Sequence, residues 1–223
     1  LASALRENTS VTVLKVFGNS LGLEGGKAIA EALKTNETVE EVHMGNLVVG
    51  CTVRLKSSGK MCTVHRFYGG DGNPCVTLPD GSKQDDVEPS EYDLIPAVLP
   101  VKQLRENTIE TLDLSNKGLG IDGGLMLAAL MAGNHSTHCL HVSNCSMSTA
   151  AAVAFGGMLS ENTTLKTLDV SDNSFGKPAV GDQVKLKSSG EMKVVTEVHS
   201  DGVNIKYDGS GGWKSSGYYE WKS

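Results

Sequence analysis

The densest group of side chains able to do chemistry is His135, His138, Cys139, His141 and Cys145, imidazoles and thiols packed into one short stretch. Zinc accepts these types, but it needs four ligands converging tetrahedrally, and structural sites favour paired Cys-x-x-Cys or His-x3-His spacing. A second group, Asp113, His141 and Asp169, is acid–base in type. A third is aromatic: Tyr207, Trp213, Tyr218, Tyr219 and Trp221 include both tryptophans of the chain. Such rings can cage a methylated cation, and equally they fill the core of a small all-β unit. A fourth is basic, with Arg54, Lys56 and Lys60 in one stretch and Lys185, Lys187 and Lys193 in another. The acidic run Asp85-Asp-Val-Glu88 offsets the first of these. Phosphate-cradling loops are not indicated, since the Gly-Gly pairs at Gly25, Gly69, Gly123 and Gly211 lack the Lys-Ser/Thr ending or the strand–helix setting.

Which of these groups converge depends on the elements that carry them, and those elements repeat. Leu112-Asp-Leu-Ser-Asn, Leu140-His-Val-Ser-Asn and Leu168-Asp-Val-Ser-Asp stand 28 residues apart. Leu14-Lys-Val-Phe-Gly-Asn19 and Val42-His-Met-Gly-Asn46 show the same step. Self-similarity at this period implies a solenoid of strand-plus-helix units. In Ile109-Glu-Thr-Leu112-Asp-Leu114 the apolar residues alternate, which predicts a short strand with Leu112 and Leu114 inward. An apolar residue follows seven places after the first strand leucine, at Leu21, Leu119, Met147 and Phe175. A helix-period segment comes next, as in 26–33, with Ile29, Ala30 and Leu33 on one face. Each helix ends at an asparagine (Asn8, Asn36, Asn107, Asn134, Asn162), a residue suited to left-handed C-terminal geometry.

These units resemble the ribonuclease-inhibitor-type leucine-rich repeats, whose pattern is Leu-x-x-Leu-x-Leu-x-x-(Asn/Cys)-x-Leu. Val11, Leu14, Val16, Asn19 and Leu21 follow it in full, and Leu165, Leu168, Val170, Asn173 and Phe175 follow it with an aromatic at the end. The central unit supplies Leu140, Val142 and Cys145 but has Thr137 at a usually apolar place. The unit from Ile109 puts Lys117 at the Asn/Cys position, which leaves its turn open. The resemblance covers about half the chain. It implies a horseshoe with parallel strands on the concave face, helices outside, an intracellular setting and protein partners.

The repeat register separates the chemical groups. Cys145 takes a buried ladder position, whereas Cys139 and His141 point out from a strand, so no metal site is expected. Asp113, His141 and Asp169 fall on successive strands about 4.8 Å apart, which is not a nucleophile–base geometry. They belong instead to a column with one outward residue per repeat: Lys15, His43, Asp113, His141 and Asp169. Read functionally, the column is the partner-binding surface of the concave face; read plainly, it is a solvated face.

The period fails twice, and the intruding phrase is shared. Val53-Arg-Leu-Lys-Ser-Ser-Gly-Lys-Met-Cys-Thr-Val64 recurs as Val184-Lys-Leu-Lys-Ser-Ser-Gly-Glu-Met-Lys-Val-Val195. Each copy follows a leucine-rich strand and predicts short strands split by Gly-containing turns. In the second copy these are Gln183–Lys187, Met192–His199, Val203–Asp208 and Tyr218–Trp221. Such units indicate small SH3-like barrels. Their opening resembles that of small bacterial domains beginning Val-x-Leu-Lys-Ser-Gly-Gly-x-x-Met-Thr-Val and, more loosely, Tudor and related barrels. The phrase 96–107 then rejoins the helical end of a repeat, so the first barrel is an insertion in a strand-to-helix loop, where added length costs little closure entropy.

The expected fold class is therefore α/β: a leucine-rich-repeat solenoid with two small all-β SH3-like barrels. Its divisions are repeats over 1–46, an inserted barrel over 47–96, repeats over 97–177 and a second barrel over 178–223. A net charge of -6 argues against nucleic acid as the partner. No stretch reaches the roughly 20 apolar residues of a membrane span. The chain opens as though inside a helix, with no charged-then-apolar signal segment. Five cysteines without framework spacing read as free thiols in a reducing compartment. The expected function is a non-enzymatic protein-binding scaffold without cofactor, part of a larger protein or assembly. The alternative is a barrel-borne reader of methylated peptides or RNA.

Overall fold

The structure, a computed structural model, describes residues 1–19, 21–67, 72–175, 183–198, 205–212, 214 and 219–221. Each repeat begins with a three- or four-residue strand and returns through a helix. Helix α1 (Ala2–Glu7) leads into β1 (Val13–Lys15), α2 (Gly22–Thr35) and β2 (Glu41–Met44). Strands β1 and β2 are parallel, with Leu14 beside Val42 and Lys15 beside His43. The chain then leaves the repeats for β3 (Thr52–Leu55), β4 (Met61–Phe67), β5 (Pro74–Thr77), β6 (Lys83–Gln84) and β7 (Tyr92–Leu94). It returns through β8 (Ala97–Leu99) and the short α3 (Val101–Arg105). Regular repeats resume with β9 (Thr111–Asp113), α4 (Gly120–Ala132), β10 (Cys139–His141), α5 (Thr149–Glu161) and β11 (Thr167–Asp169). A second excursion holds β12 (Gln183–Leu186), β13 (Met192–Val198), β14 (Ile205–Tyr207) and β15 (Tyr219–Trp221).

Strands β9, β10 and β11 form a parallel sheet in one register: Leu112, Leu140 and Leu168 share a row, as do Asp113, His141 and Asp169. The expectation of parallel strands throughout fails at β8. It pairs antiparallel to β2, with Val42 beside Leu99 and Met44 beside Ala97. The cause is topological. Strands β3 and β7 are hydrogen-bonded neighbours, Val53 facing Leu94, so the excursion ends where it began. A segment re-entering beside Met44 can only run backwards along β2.

One apolar cluster runs through both repeat sheets and their helices, including Leu33, Val42, Leu99, Leu127, Leu140 and Met158. The strand ladder is fully buried at its middle, where Leu140 and Val142 are 0% exposed, but Leu14, Leu168 and Val170 at its ends are half-buried. Helix α4 packs against both α2 and α5. Glycine makes this close approach possible. A Cβ on Gly26 would stand 2.8 Å from the Asp122 Cα, and one on Gly124 would stand 2.7 Å from the Ala151 Cβ.

The helix-end asparagines act differently from the expected left-handed caps. Asn8, Asn36 and Asn162 are extended, and of the five only Asn107 has a positive φ, 57°. Their side chains fasten repeat to repeat instead. The Asn36 Nδ2 donates to the Leu5 carbonyl at 2.7 Å and the Asn8 carbonyl at 2.9 Å, while its Oδ1 accepts from the Val39 amide at 2.8 Å. Asn162 repeats this on Met131, Asn134 and Leu165. Thr137, the polar residue at an apolar place, is buried with its hydroxyl donating to the Ile109 carbonyl at 2.8 Å. The turn containing Lys117 is intact: Asn116, Asn144 and Asp172 all adopt left-handed φ, and the Asn144 Nδ2 donates to the Asn116 Oδ1 at 2.9 Å.

The two excursions have the same pairing scheme. The first sheet has the order β6-β5-β4-β3-β7 and the second β14-β13-β12-β15. Each has a register shift at the same place, between Val64 and Arg66 and between Val195 and Glu197. The Leu-Lys-Ser-Ser-Gly turn is common to both, with Gly59 at φ 69° and Gly190 at φ 72°, where a side chain would be strained. Among the described residues neither sheet closes on itself. Strands β6 and β7 edge the first, and β14 and β15 the second.

Candidate functional site

The outward column is assembled by strand pairing alone. Lys15 lies beside His43, and Asp113, His141 and Asp169 form a row of three. Lys15 and Asp113 are exposed, while His43, His141 and Asp169 are half-buried. The His141 Nδ1 lies 3.9 Å from the Asp169 Oδ2, and the His43 Nε2 lies 3.2 Å from the Glu41 Oε2. A residue not anticipated joins the column. Because β8 pairs with β2, Val98 stands beside His43 with 40% of its surface exposed. The face thus offers an apolar side chain beside the His43 imidazole.

Two column members also shape the backbone. The Asp169 Oδ1 accepts from the Ser171 amide at 3.0 Å and from its hydroxyl at 2.7 Å. These bonds hold the carboxyl below the usual carboxylate range, hydroxyl first, amide next, with His141 adding to the effect. The Asp113 Oδ1 accepts from the Ser115 amide at 2.9 Å, and that amide is the main cause of its similarly lowered pKa. The spacing that marks this role, Asp-x-Ser, is visible at Asp113-Leu-Ser115 and Asp169-Val-Ser171. At Asp169 one carboxylate oxygen thus sets the turn and the other faces His141.

The remaining candidates separate as the register implies. Cys145 is fully buried, with its Sγ 3.1 Å from the Leu114 carbonyl oxygen, and burial raises its pKa. His135 is exposed, and His138 and Cys139 are half-buried. The described residues hold no group of three or more His, Cys, Asp and Glu placed to grip a metal ion. Burial pushes the Cys51 thiol up to about 11, which removes it as a nucleophile at neutral pH. Of the aromatic group, Tyr207 is half-buried against Leu186, Val195 and Ile205, a core contact. Trp213 and Tyr218 lie outside the described residues, and Tyr219 and Trp221 are described only as backbone of β15. In the first sheet the basic residues face acids rather than solvent alone. Arg54 meets Asp93 at 2.9 Å and Lys60 meets Asp80 at 3.8 Å.

A second surface feature is the seat of the first small sheet on the repeat turns. The Thr52 hydroxyl donates to the Asn116 carbonyl at 3.0 Å, and the Ser146 hydroxyl donates to the Val49 carbonyl. A Cβ on Gly118 would come within 2.6 Å of the Cys51 Cβ and 3.0 Å of a Val48 methyl. Repeat turns and sheet are therefore in van der Waals contact.

The family description "Leucine Rich repeat" matches residues 7–30 and 161–180, within these strand-and-helix units. Ran GTPase-activating protein 1 of Xenopus laevis is similar to this chain, with 27% identity over 142 residues. The match covers 61% of the chain but 23% of that relative, so the chain spans less than a quarter of the relative's length. No solved structure matches. No helix among the described residues is long and apolar enough to cross a membrane.

Proposed function

We propose that this chain is a non-enzymatic protein-interaction scaffold within a larger protein or assembly, acting inside the cell, and that its concave strand column is the binding surface. On this reading the repeats are of the ribonuclease-inhibitor type and form a solenoid over 1–46 and 97–177. The two excursions, 47–96 and 178–223, are SH3-like units grafted onto it. The observation that carries the proposal is the row Asp113–His141–Asp169, extended beside β2 by Val98 and His43. Charged, polar and apolar groups stand there at strand spacing on a rigid ladder, an arrangement suited to a complementary protein surface. Burial that raises the thiols of Cys51 and Cys145 weighs against these two as nucleophiles. The test is partner capture from a lysate by the chain and by a His141→Ala/Asp169→Asn double variant. The Asn keeps an acceptor for Ser171, so the turn survives. Capture should weaken with the melting temperature unchanged; undiminished capture moves the site off the concave face.

A second reading takes its partner from the relative named above. If the likeness extends to function, the partner is a Ran-type GTPase. Titrating such a GTPase in its GTP- and GDP-bound forms, with hydrolysis followed in parallel, decides it. Binding without acceleration supports a scaffold, and acceleration makes the chain part of an activator. Salt-dependent titration with nucleic acid addresses the RNA-reader alternative, because phosphate contacts give a steep salt slope.

A further inference from the structure

The asparagine rungs carry a second meaning in their sequence. Asn36-Glu-Thr38, Asn134-His-Ser136 and Asn162-Thr-Thr164 each have the form Asn-x-Ser/Thr with no proline between, which is the acceptor sequence for N-linked glycans. Acceptor asparagines belong on surface loops, because the added sugar is bulky and polar. These three are buried, at 2%, 3% and 7% exposure. Their amide nitrogens are also committed. The Asn36 Nδ2 serves the Leu5 and Asn8 carbonyls, and the Asn162 Nδ2 those of Met131 and Asn134. The Asn134 Nδ2 donates to the Leu104 carbonyl at 2.7 Å. The residue two places on is used as well. The amides of Thr38, Ser136 and Thr164 donate to the Oδ1 of their own asparagine at 3.0, 3.2 and 2.9 Å. The hydroxyls of Thr38 and Ser136 donate to the Asn8 and Ile109 carbonyls of the preceding repeat, at 3.1 and 2.9 Å. The fold thus uses both the asparagine and the hydroxyl residue, and the acceptor sequence is what that use spells.

We propose that repeat fastening and N-glycosylation compete for the same three nitrogens, so that this chain folds out of reach of N-glycosyl transfer and a glycan at Asn36, Asn134 or Asn162 excludes the folded state. In the transfer the asparagine nitrogen bonds to C1 of the first sugar and loses a proton, while the bond from that sugar to its lipid diphosphate carrier breaks. The nitrogen keeps one N–H. Asn36 and Asn162 each donate to two carbonyls, so each loses one bond outright and leaves a buried carbonyl without its partner. At all three sites the sugar also needs space that the neighbouring repeat fills. Each rung joins two repeats, so the damage reaches the array rather than one loop. The same form at Asn8 and Asn144 falls on half-buried side chains and is no part of the proposal. The inference deepens the intracellular part of the proposed function, on observations independent of the concave column.

The full chain is expressed in a eukaryotic cell in two forms, without a leader and behind a cleavable secretion leader, and its glycopeptides are mapped by mass. Without the leader the three asparagines should be unmodified and the protein resistant to protease. With it, molecules modified at any of the three should lose that resistance, and blocking synthesis of the lipid-linked sugar should restore an unmodified, resistant protein. Restoration separates the glycan from lumenal oxidation of the five cysteines as the cause. Thr164→Ala removes the acceptor sequence at Asn162 and keeps the asparagine with its partners. It should abolish modification at that site alone and leave the leaderless protein resistant. A glycan at any of the three on a protease-resistant molecule would overturn the proposal. So would a leader-borne chain that emerges folded and unmodified without the block, or one that stays unfolded with it. None of these outcomes bears on capture by the concave face, which the His141→Ala/Asp169→Asn variant tests separately.

Discussion

At the scale of residues the ionisable groups fall into two classes with opposite pH behaviour. Asp113 and Asp169 hold their carboxyls low through Ser115 and Ser171, so whatever they contribute is present above the ordinary carboxylate value of about 3.9 and is lost as pH falls through their folded values. Carbon-detected NMR titration should place both below model peptides, and Ser171→Ala should move Asp169 upward while leaving Asp113 in place. Asp122 behaves the other way. It is 4% exposed in the first turn of α4, and burial raises its pKa despite bonds from nearby amides and Asn46. A raised carboxyl gives full stability only below its unfolded value and loses it as pH rises through its folded value. Thermal unfolding should therefore show wild type losing ground to Asp122→Asn as pH rises above about 4. An identical pH slope for the two would mean that the carboxyl is not effectively desolvated. Apolar positions divide by their place in the ladder. Leu140→Ala, at 0% exposure, should cost roughly 2–5 kcal/mol in chemical denaturation, and half-buried Leu168→Ala clearly less.

At the scale of elements the asparagine rungs join one repeat to the next alongside the strand pairing. Asn162→Ala strips partners from the Met131 and Asn134 carbonyls and the Leu165 amide, and should cost about 1–3 kcal/mol. Asn107→Gly should be nearly neutral in backbone terms, because that residue alone of the set is left-handed. Much of this level was readable in advance. The 28-residue step located β9, β10 and β11, and the Gly-containing turns located β12 to β15 within a few residues. Two things were not readable. Ala97-Val-Leu99 looks like the approach to a helix, and only its pairing with β2 makes it a strand, a case of tertiary contact overriding local preference. For the same reason Val98 could not be placed in the column. The extended backbone of Asn36 and Asn162 was hidden as well, since Asn suits both a left-handed cap and a side-chain bridge, and the choice is made by carbonyls in the preceding repeat.

For the whole molecule, the question is what fixes the first small sheet on the repeats. The Gly118–Cys51 approach is one sensitive point, because Gly118 has φ 60° and no room for a Cβ. Gly118→Val should detach the sheet, seen as faster hydrogen exchange in β3 and β4 with β10 unaffected; unchanged exchange in β3 would place the anchor elsewhere. The backward course of β8 has a further consequence, in time rather than in space. A regular repeat array can grow in one direction, each unit condensing on its neighbour as it forms. Here β2 cannot acquire its outer neighbour until the chain between them has folded back, and long-range closures of this kind are slow. The meander of β3, β4 and β5 is local and can form first, drawing β7 home and delivering β8. Pulse-labelled exchange during refolding should therefore find the amides of β4 protected before those of β8. The excursion thus acts as a timer for the first sheet, its completion setting when β2 gains its outer neighbour.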